Sequence, residues 1–199
     1  MADTGHKAVF LDRDGVINEE REYVHRIDDF VLLPGVAAGL RRLKAAGYRL
    51  IVITNQAGIA HGYYTEAQYA TLTTHMRALL AAEGVTLDAV YHCPHHPKPA
   101  NGQPGIDCEC RKPAPGMILR AADQLQIDLA RSALFGDKGS DLEAARAAGV
   151  QHRVLLLTGH ATEQSDRDMA DCCAIDMDHA VSWLLIQAGN TAPARPAAV

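Results

Sequence analysis

The sequence has little that marks a membrane, secreted or nucleic-acid-binding protein. No apolar run reaches the ~18 to 20 residues that a membrane-spanning helix needs, and the longest candidate covers only 180–188. Charged residues at 12–14 interrupt the first hydrophobic run, so we expect no secretory signal. The net charge is −5, so there is no basic excess to attract nucleic acid or an anionic membrane.

Aromatic residues make up only 5% of the chain, but apolar residues make up 48%, a proportion typical of globular proteins. The five cysteines favour metal binding or free thiols over a disulfide framework. A length of 199 residues suits one ordinary domain. We therefore expect a soluble, cytoplasmic single domain over 1–190, and a flexible tail over 191–199, where prolines stand among small residues.

Short apolar runs alternate with helical patterns along the chain. Strands are predicted at 7–11, 48–53, 87–92, 132–135, 153–157 and 172–175, and helices at 36–46, 65–83, 115–125, 141–148 and 178–188. This alternation predicts an α/β fold, a Rossmann-like parallel sheet with helices on both faces. The stretch 15–35 leaves no room for a helical cap domain, so an open site is expected.

Polar residues follow several of the predicted strands. Asp12 and Asp14 follow the first strand, Thr54 follows the second and Asp137 follows the fourth. Lys112 closes the irregular stretch 93–113. Because the chemistry of a parallel sheet lies beyond the carboxyl ends of its strands, these side chains are expected to converge on one edge.

The two aspartates of the first strand end predict a cation site. Residues two apart share a face of an extended segment, so Asp12 and Asp14 should lie together while Arg13 points away. Asp137 would add a third oxygen ligand, and oxygen ligands are those that Mg²⁺ prefers. Gly15 would let the chain turn sharply away from the sheet edge.

The ordered set Asp-x-Asp-Gly, Thr-Asn, Lys-Pro and Gly-Asp-x-x-x-Asp resembles the haloacid dehalogenase (HAD)-type phosphohydrolases. The resemblance implies phosphoryl transfer through an aspartyl-phosphate on Asp12, with Asp14 as general acid and then general base. It also implies that Thr54 and Lys112 bind the transferring phosphoryl group, and that Mg²⁺ lies on Asp12, Asp14 and Asp137, with the Asp14 backbone carbonyl as its ligand atom. Asp141 could reach the metal or cap the following helix, and capping is favoured.

The irregular stretch carries a second candidate metal site. Loops of this length without secondary structure are uncommon inside a domain, so we expect a bound metal ion to hold this loop in place. A structural Zn²⁺ could be held by three thiols and one imidazole in the loop 93–112, namely Cys93, His95, Cys108 and Cys110. Spacing alone leaves His96 and His92 open as alternatives to His95.

The order Cys-Pro-His-His … Cys-x-Cys-Arg-Lys-Pro, with Asp-Arg-Asp-Gly-x-Ile-Asn at the front, narrows the resemblance. It is similar to the D-glycero-D-manno-heptose 1,7-bisphosphate 7-phosphatases, which act in lipopolysaccharide precursor synthesis, and to the related histidinol-phosphate phosphatases. The resemblance implies that a sugar bisphosphate is bound by Glu20, Arg21, Glu22, Tyr23, Thr54, Asn55, Gln56, Ala57, Arg111, Lys112 and Lys138. A guanidinium at Arg111 could hold the second phosphate in a bidentate way.

Other interpretations stay open at this point. A histidinol-phosphate phosphatase would share the mechanism but prefer a cationic amino alcohol phosphate. A zinc-stabilised binding module would have no Mg²⁺-dependent activity. The negative net charge disfavours a nucleic-acid phosphatase. A monomer is expected from the resemblance, and the preferred heptose anomer is left open.

Overall fold

The computed structural model describes residues 5–190 and shows an α/β fold. Its strands are β1 (Ala8–Leu11), β2 (Arg49–Asn55), β3 (Ala89–Cys93), β4 (Ala133–Gly136), β5 (His152–Leu156) and β6 (Cys172–Ala174). Its helices are α1 (Val36–Ala45), α2 (Ala57–His61), α3 (Glu66–Ala82), α4 (Gly116–Leu125), α5 (Gly139–Ala148), α6 (Gln164–Met169) and α7 (Met177–Asn190). Both the fold class and the parallel sheet agree with the prediction.

The six strands form one parallel sheet in the order β3-β2-β1-β4-β5-β6. Strands β2 and β3 lie on one side of β1, and β4, β5 and β6 follow on its other side. The carboxyl ends of β1 and β4 therefore meet at the point where the strand order reverses, which is where ligands bind in such folds.

Helices cover both faces of the sheet. Alternate residues of each strand point to opposite faces and pack against different helices. Val9 and Leu11 of β1 pack with Leu40 of α1 in a cluster that also includes apolar residues of α3 and α7. Phe10 faces the other way and belongs to the cluster of α4 and α5, with Ile118. Both faces of the central strands are thus buried, as their continuous apolar sequences predict.

Two short helices, α2 and α6, were not predicted, because they are only five and six residues long and give no apolar repeat. Helix α5 begins at Gly139, so Asp141 lies in its first turn and not before it. Between β1 and α1 the described chain has only a 3₁₀ turn at Ile27–Asp29, which agrees with the absence of a helical cap domain there.

The predicted tail, 191–199, lies outside the described residues. Among the residues that are described, no helix is both long and apolar enough to cross a bilayer.

Candidate active site and thiol cluster

A cavity of about 630 Å³ opens at the carboxyl edge of the sheet. Most of the site residues predicted from the strand ends or implied by the resemblance line it: Asp12, Asp14, Glu20, Glu22, Tyr23, Thr54, Asn55, Gln56, Ala57, Arg111, Lys112 and Lys138. Tyr64, Pro113, Ser140, Asp141 and His160 complete the lining. The strand ends and the loop before α4 therefore converge on one cleft.

Three buried carboxylates meet beneath this cavity. One oxygen each of Asp12, Asp137 and Asp141 lies within 4.8 Å of the others. Burial and the nearby Asp12 raise the pKa of Asp137, and burial raises the pKa of Asp141 to about 6. Asp137 Oδ1 is buried and has no hydrogen-bond partner among the described residues. A hard divalent cation fits this donor set, because it would satisfy that oxygen and relieve the repulsion between the carboxylates.

Lys112 is the cation that the structure places among these carboxylates. Its Nζ lies 3.0 Å from Asp12 Oδ1 and 2.6 Å from Asp141 Oδ1, and it donates to the Ile53 carbonyl at 2.9 Å. Burial lowers the pKa of Lys112, but the two carboxylates outweigh burial and the net shift is upward. The Asn55 side chain fixes the Lys112 backbone, with bonds to its N–H and its carbonyl. Lys112 is therefore held as a buried ammonium beside Asp12.

Asp141 combines capping with this ion pair. Its Oδ2 accepts from the backbone N–H of Lys138 at 3.1 Å, at the start of α5, while Oδ1 pairs with Lys112. The preference for capping is therefore confirmed in part, since the same carboxylate also reaches the cation and lies within the acidic group.

The prediction that Arg13 points away from Asp14 was wrong. The Arg13 guanidinium pairs with the Asp14 carboxylate, with Nη2 to Oδ2 at 2.8 Å, and also donates to the Val24 carbonyl. Asn18 donates to the same carboxylate at 2.9 Å. The chain turns at Gly15 (φ +78°), so the alternation of an extended strand does not continue through this segment. Because Arg13 and Asn18 hold the Asp14 carboxylate, the backbone carbonyl is the atom of Asp14 that remains a candidate metal ligand.

A chain of three polar side chains orients the Thr54 hydroxyl. Tyr64 donates to Gln56 Oε1 at 2.6 Å, so the Gln56 amide nitrogen faces Thr54 Oγ1 at 2.8 Å. Thr54 therefore accepts from Gln56 and can donate its own proton into the cavity. Burial raises the pKa of Tyr64, which keeps its phenol protonated.

The segment before α1 forms one rim of the cavity. Glu22 and Tyr23 have left-handed backbone angles (φ 53° and 52°), and the Glu22 N–H donates to Glu20 Oε1. Strained backbone of this kind is typical of ligand-binding segments. The structure does not place Arg21 at the cavity, because its guanidinium is exposed and pairs with Glu19.

Sequence reasoning missed three lining side chains: Tyr64, Ser140 and His160. His160 follows β5, and Nδ1 lies 2.7 Å from Asp137 Oδ2. The rule used for the other strand ends, applied to β5, would have found it. Nothing in the sequence signals Tyr64, whose position depends on the short helix α2.

Three thiols and one imidazole lie together at the base of the long loop. Sulfur–sulfur distances among Cys93, Cys108 and Cys110 are 3.1–3.5 Å, and His95 Nδ1 lies 3.4 Å from Cys110 Sγ. Ligands of one tetrahedral Zn²⁺, at about 2.3 Å from it, lie about 3.8 Å apart. Burial raises the pKa of Cys108, but hydrogen bonds from the neighbouring thiols lower it to about 7. The cluster therefore suits a thiolate-binding metal.

The two alternative histidines lie outside this cluster. His92 Nε2 contacts Glu66 at 2.9 Å, and His96 Nδ1 accepts from the Lys98 N–H. The cluster connects to the cavity through Arg111, which donates to the His95 carbonyl at 3.2 Å. His95 is the histidine that the structure brings to the thiols.

Comparison with known proteins agrees with this geometry. The HAD-hydrolase-like family profile matches residues 109–179. The chain is 49% identical over 164 residues to the D-glycero-beta-D-manno-heptose-1,7-bisphosphate 7-phosphatase of Salmonella typhi, which covers 82% of this chain and 87% of the relative. It is 47% identical over 158 residues to the alpha-anomer 7-phosphatase of Photorhabdus laumondii, covering 79% and 86% of the two chains.

A solved structure shows the same architecture. The D,D-heptose 1,7-bisphosphate phosphatase of B. bronchiseptica, complexed with magnesium and phosphate, is 32% identical and matches with a TM-score of 0.76. The match covers 91% of this chain and 99% of that one. An identity of 49% across 82% of the chain shows the family to which the chain belongs. The chain belongs to the D-glycero-D-manno-heptose-1,7-bisphosphate 7-phosphatase family of HAD-type hydrolases.

Proposed function

We propose that this protein removes the 7-phosphate of D-glycero-D-manno-heptose 1,7-bisphosphate, in the synthesis of nucleotide-activated heptose for lipopolysaccharide. The observation that carries the proposal is the meeting of Asp12, Asp137, Asp141 and Lys112 at the strand-order reversal. The names of the relatives supply the substrate. The relatives reported above do not favour a histidinol-phosphate phosphatase or a binding module.

The residues that would hold Mg²⁺ are Asp12, Asp137 and the backbone carbonyl of Asp14. The unpartnered, buried Oδ1 of Asp137 supports this assignment. When bound, the ion would supply positive charge that offsets repulsion between a carboxylate nucleophile and a phosphate.

In the first chemical step, a carboxylate oxygen of Asp12 attacks the phosphorus of the 7-phosphate, and the bond between this phosphorus and the sugar oxygen breaks. Asp14 gives its proton to the departing oxygen. Asp12 is oriented for this attack, because its Oδ1 accepts from the Arg13 N–H at 2.7 Å and faces Lys112 Nζ. Lys112 and the Thr54 hydroxyl would stabilise charge on the transferring group.

In the second step, water attacks the phosphorus of the aspartyl-phosphate and releases Asp12 and inorganic phosphate. Asp14, now ionised, takes the proton from this water. The contacts of Asp14 with Arg13 and Asn18 fit this ionised form, since both partners donate to it. These contacts support the role of Asp14 as base, and its role as acid in the first step is the one that the family resemblance implies.

We propose that Arg111 and Lys138, two cations that line the cavity, hold the second phosphate group. We propose that the thiol cluster holds a structural Zn²⁺, which would fix His95 and, through its carbonyl, the Arg111 guanidinium. The zinc loop would then position a residue that recognises a bisphosphate.

We propose a cytoplasmic enzyme. All five cysteines are free thiols in the structure, and reduced thiols are typical of a reducing compartment.

The test is phosphate release with Mg²⁺ from a panel of both heptose bisphosphate anomers, fructose bisphosphate and histidinol phosphate. We expect a heptose bisphosphate to have the highest kcat/KM, and Asp12→Asn to abolish release while the fold is retained. Asp123→Asn, at an exposed carboxylate of α4, is the matched control and should keep wild-type rates. Faster release from histidinol phosphate, or wild-type rates in Asp12→Asn, would overturn the proposal.

A further inference from the structure

The segment that follows β5 carries groups that neither the proposed chemistry nor the family resemblance uses. Thr158, Gly159 and His160 lie against the loop of Asp12 and against Asp137. The Thr158 hydroxyl donates to the Gly15 carbonyl at 2.6 Å. Both the backbone N–H and the ring Nδ1 of His160 contact Asp137 Oδ2, at 3.0 Å and 2.7 Å.

These contacts make the two oxygens of Asp137 unequal. Oδ2 accepts both contacts from His160, whereas Oδ1 is buried without a partner among the described residues. Oδ2 is also closely enclosed, since a Cβ on Gly159 would lie 2.1 Å from it and a Cβ on Gly15 would lie 2.5 Å from it. The Asp137 side chain therefore has one oxygen fixed by the protein and one left for a ligand.

We infer that His160 is a positioning residue that orients Asp137, so that Oδ1 faces the cation. This inference rests on the proposed function, because Asp137 is a metal ligand only there. Hydrogen bonds to the outer oxygen of a ligating carboxylate fix its rotation, and loss of such a partner typically weakens metal binding about 10–100-fold. The Glu20 carboxylate, at 3.6 Å from His160 Nδ1, lies beyond hydrogen-bond distance and does not compete with Asp137 for this donor.

A structural explanation for His160 is possible, since a half-buried imidazole can simply fill space. It makes a different prediction. If only the bulk of His160 matters, a leucine, which is close to histidine in volume but has no donor, should restore binding at least as well as an asparagine. If the donor to Oδ2 matters, an asparagine should restore binding, because its side-chain amide can donate from nearly the position of Nδ1.

The experiment measures Mn²⁺ binding without substrate, through the electron paramagnetic resonance signal of free Mn²⁺, in the full chain. We expect His160→Ala to raise the Kd for Mn²⁺ about tenfold and His160→Asn to return it to within about threefold of wild type. His179→Ala, at an exposed histidine of α7, is the matched control and should leave the Kd unchanged. Circular dichroism checks that each variant is folded.

Gly159→Ala gives a second, independent perturbation in which His160 is kept. Its Cβ would displace Asp137 Oδ2, so the Kd should rise at least as much as in His160→Ala. An unchanged Kd in folded His160→Ala, equal losses in the Ala and Asn variants, or a Kd in His160→Leu as low as that in His160→Asn would overturn the inference. If His160→Ala does not fold, an unchanged Kd in Gly159→Ala would overturn it instead. Failure of the wild type to bind Mn²⁺ would overturn the proposed metal site together with this inference.

Discussion

Replacing Lys112 with methionine should separate the two effects of the buried ammonium, on stability and on catalysis. Methionine keeps most of the side chain's length and volume but removes its charge and its three hydrogen-bond donors. Loss of the ammonium would leave Asp12 and Asp141 without the cation that lies 3.0 and 2.6 Å from them. Asp137 lies within the same acidic group, so three carboxylates would repel one another.

The expected cost follows from burial. The side chains of Lys112 and Asp141 are each only 2% exposed, so solvent screens little of the pairing. Removing one partner of a buried ion pair costs about 3–5 kcal/mol. That loss is a large part of the ~5–15 kcal/mol that stabilises an ordinary domain. The cost should be larger at pH 8 than at pH 5, because at the lower pH Asp141, whose pKa is already raised to about 6, can take up a proton.

The assay is urea unfolding in Mg²⁺-free buffer for the wild type, Lys112→Met, Asp141→Asn and the double variant. We expect the double variant to recover part of the stability lost in Lys112→Met, because one of the two carboxylates left without a cation is then neutral. It should not recover activity, since loss of a cation at the transferring phosphoryl group costs about 10²–10³-fold in kcat. If the free energy of unfolding of Lys112→Met lies within about 1 kcal/mol of the wild-type value at pH 8, the reasoning about this ion pair is refuted.

Three further outcomes are expected. Gly15→Ala should lower kcat about 100-fold, since the new Cβ would meet Asp137 Oδ2 at 2.5 Å in a left-handed backbone; unchanged steady-state kinetics would contradict the described site. Cys108→Ser should release zinc and lower Tm by about 5–10 °C, whereas Cys172→Ser, outside the cluster, should do neither in metal analysis and melting. Asp88 is partly buried, which raises its pKa, but it accepts from two cations and a backbone N–H, and these contacts lower the pKa overall. Its stabilisation is therefore present above about pH 4 and lost as the pH falls through its lowered pKa, so Asp88→Asn should cost about 1–2 kcal/mol at pH 7 and progressively less as the pH falls below 4 in urea unfolding.

Much of the site could be predicted because it follows from chain topology. Parallel strands place their carboxyl ends together, so Asp12, Thr54 and Asp137 had to converge once the sheet was correctly predicted. Thr65 and Gln68 form a capping box at the start of α3 and make both of its hydrogen bonds, and their three-residue spacing is typical of this motif. These features depend on local sequence and on one rule of sheet architecture.

The remaining features depend on competition between tertiary contacts. Arg13 turns back to Asp14 because a buried guanidinium needs a partner, which periodicity along a strand does not reveal. Arg21 lies outside the cavity and pairs with Glu19 in solvent, and the sequence gives no signal that separates this arrangement from a position at the site. Helix α2, and with it Tyr64, is too short to give a periodic signal. Spacing in the sequence could not choose among three histidines, because only the folded loop decides which ring reaches the thiols.

The central claim is that Asp12 accepts the phosphoryl group covalently. The direct measurement is peptide mass mapping of enzyme quenched in acid within milliseconds of mixing with heptose bisphosphate and Mg²⁺. The account predicts the mass of one phosphoryl group on the peptide that contains Asp12, absent in Asp12→Asn. Rapid turnover with no phosphoryl group on that peptide, or with the group on another residue, would contradict it.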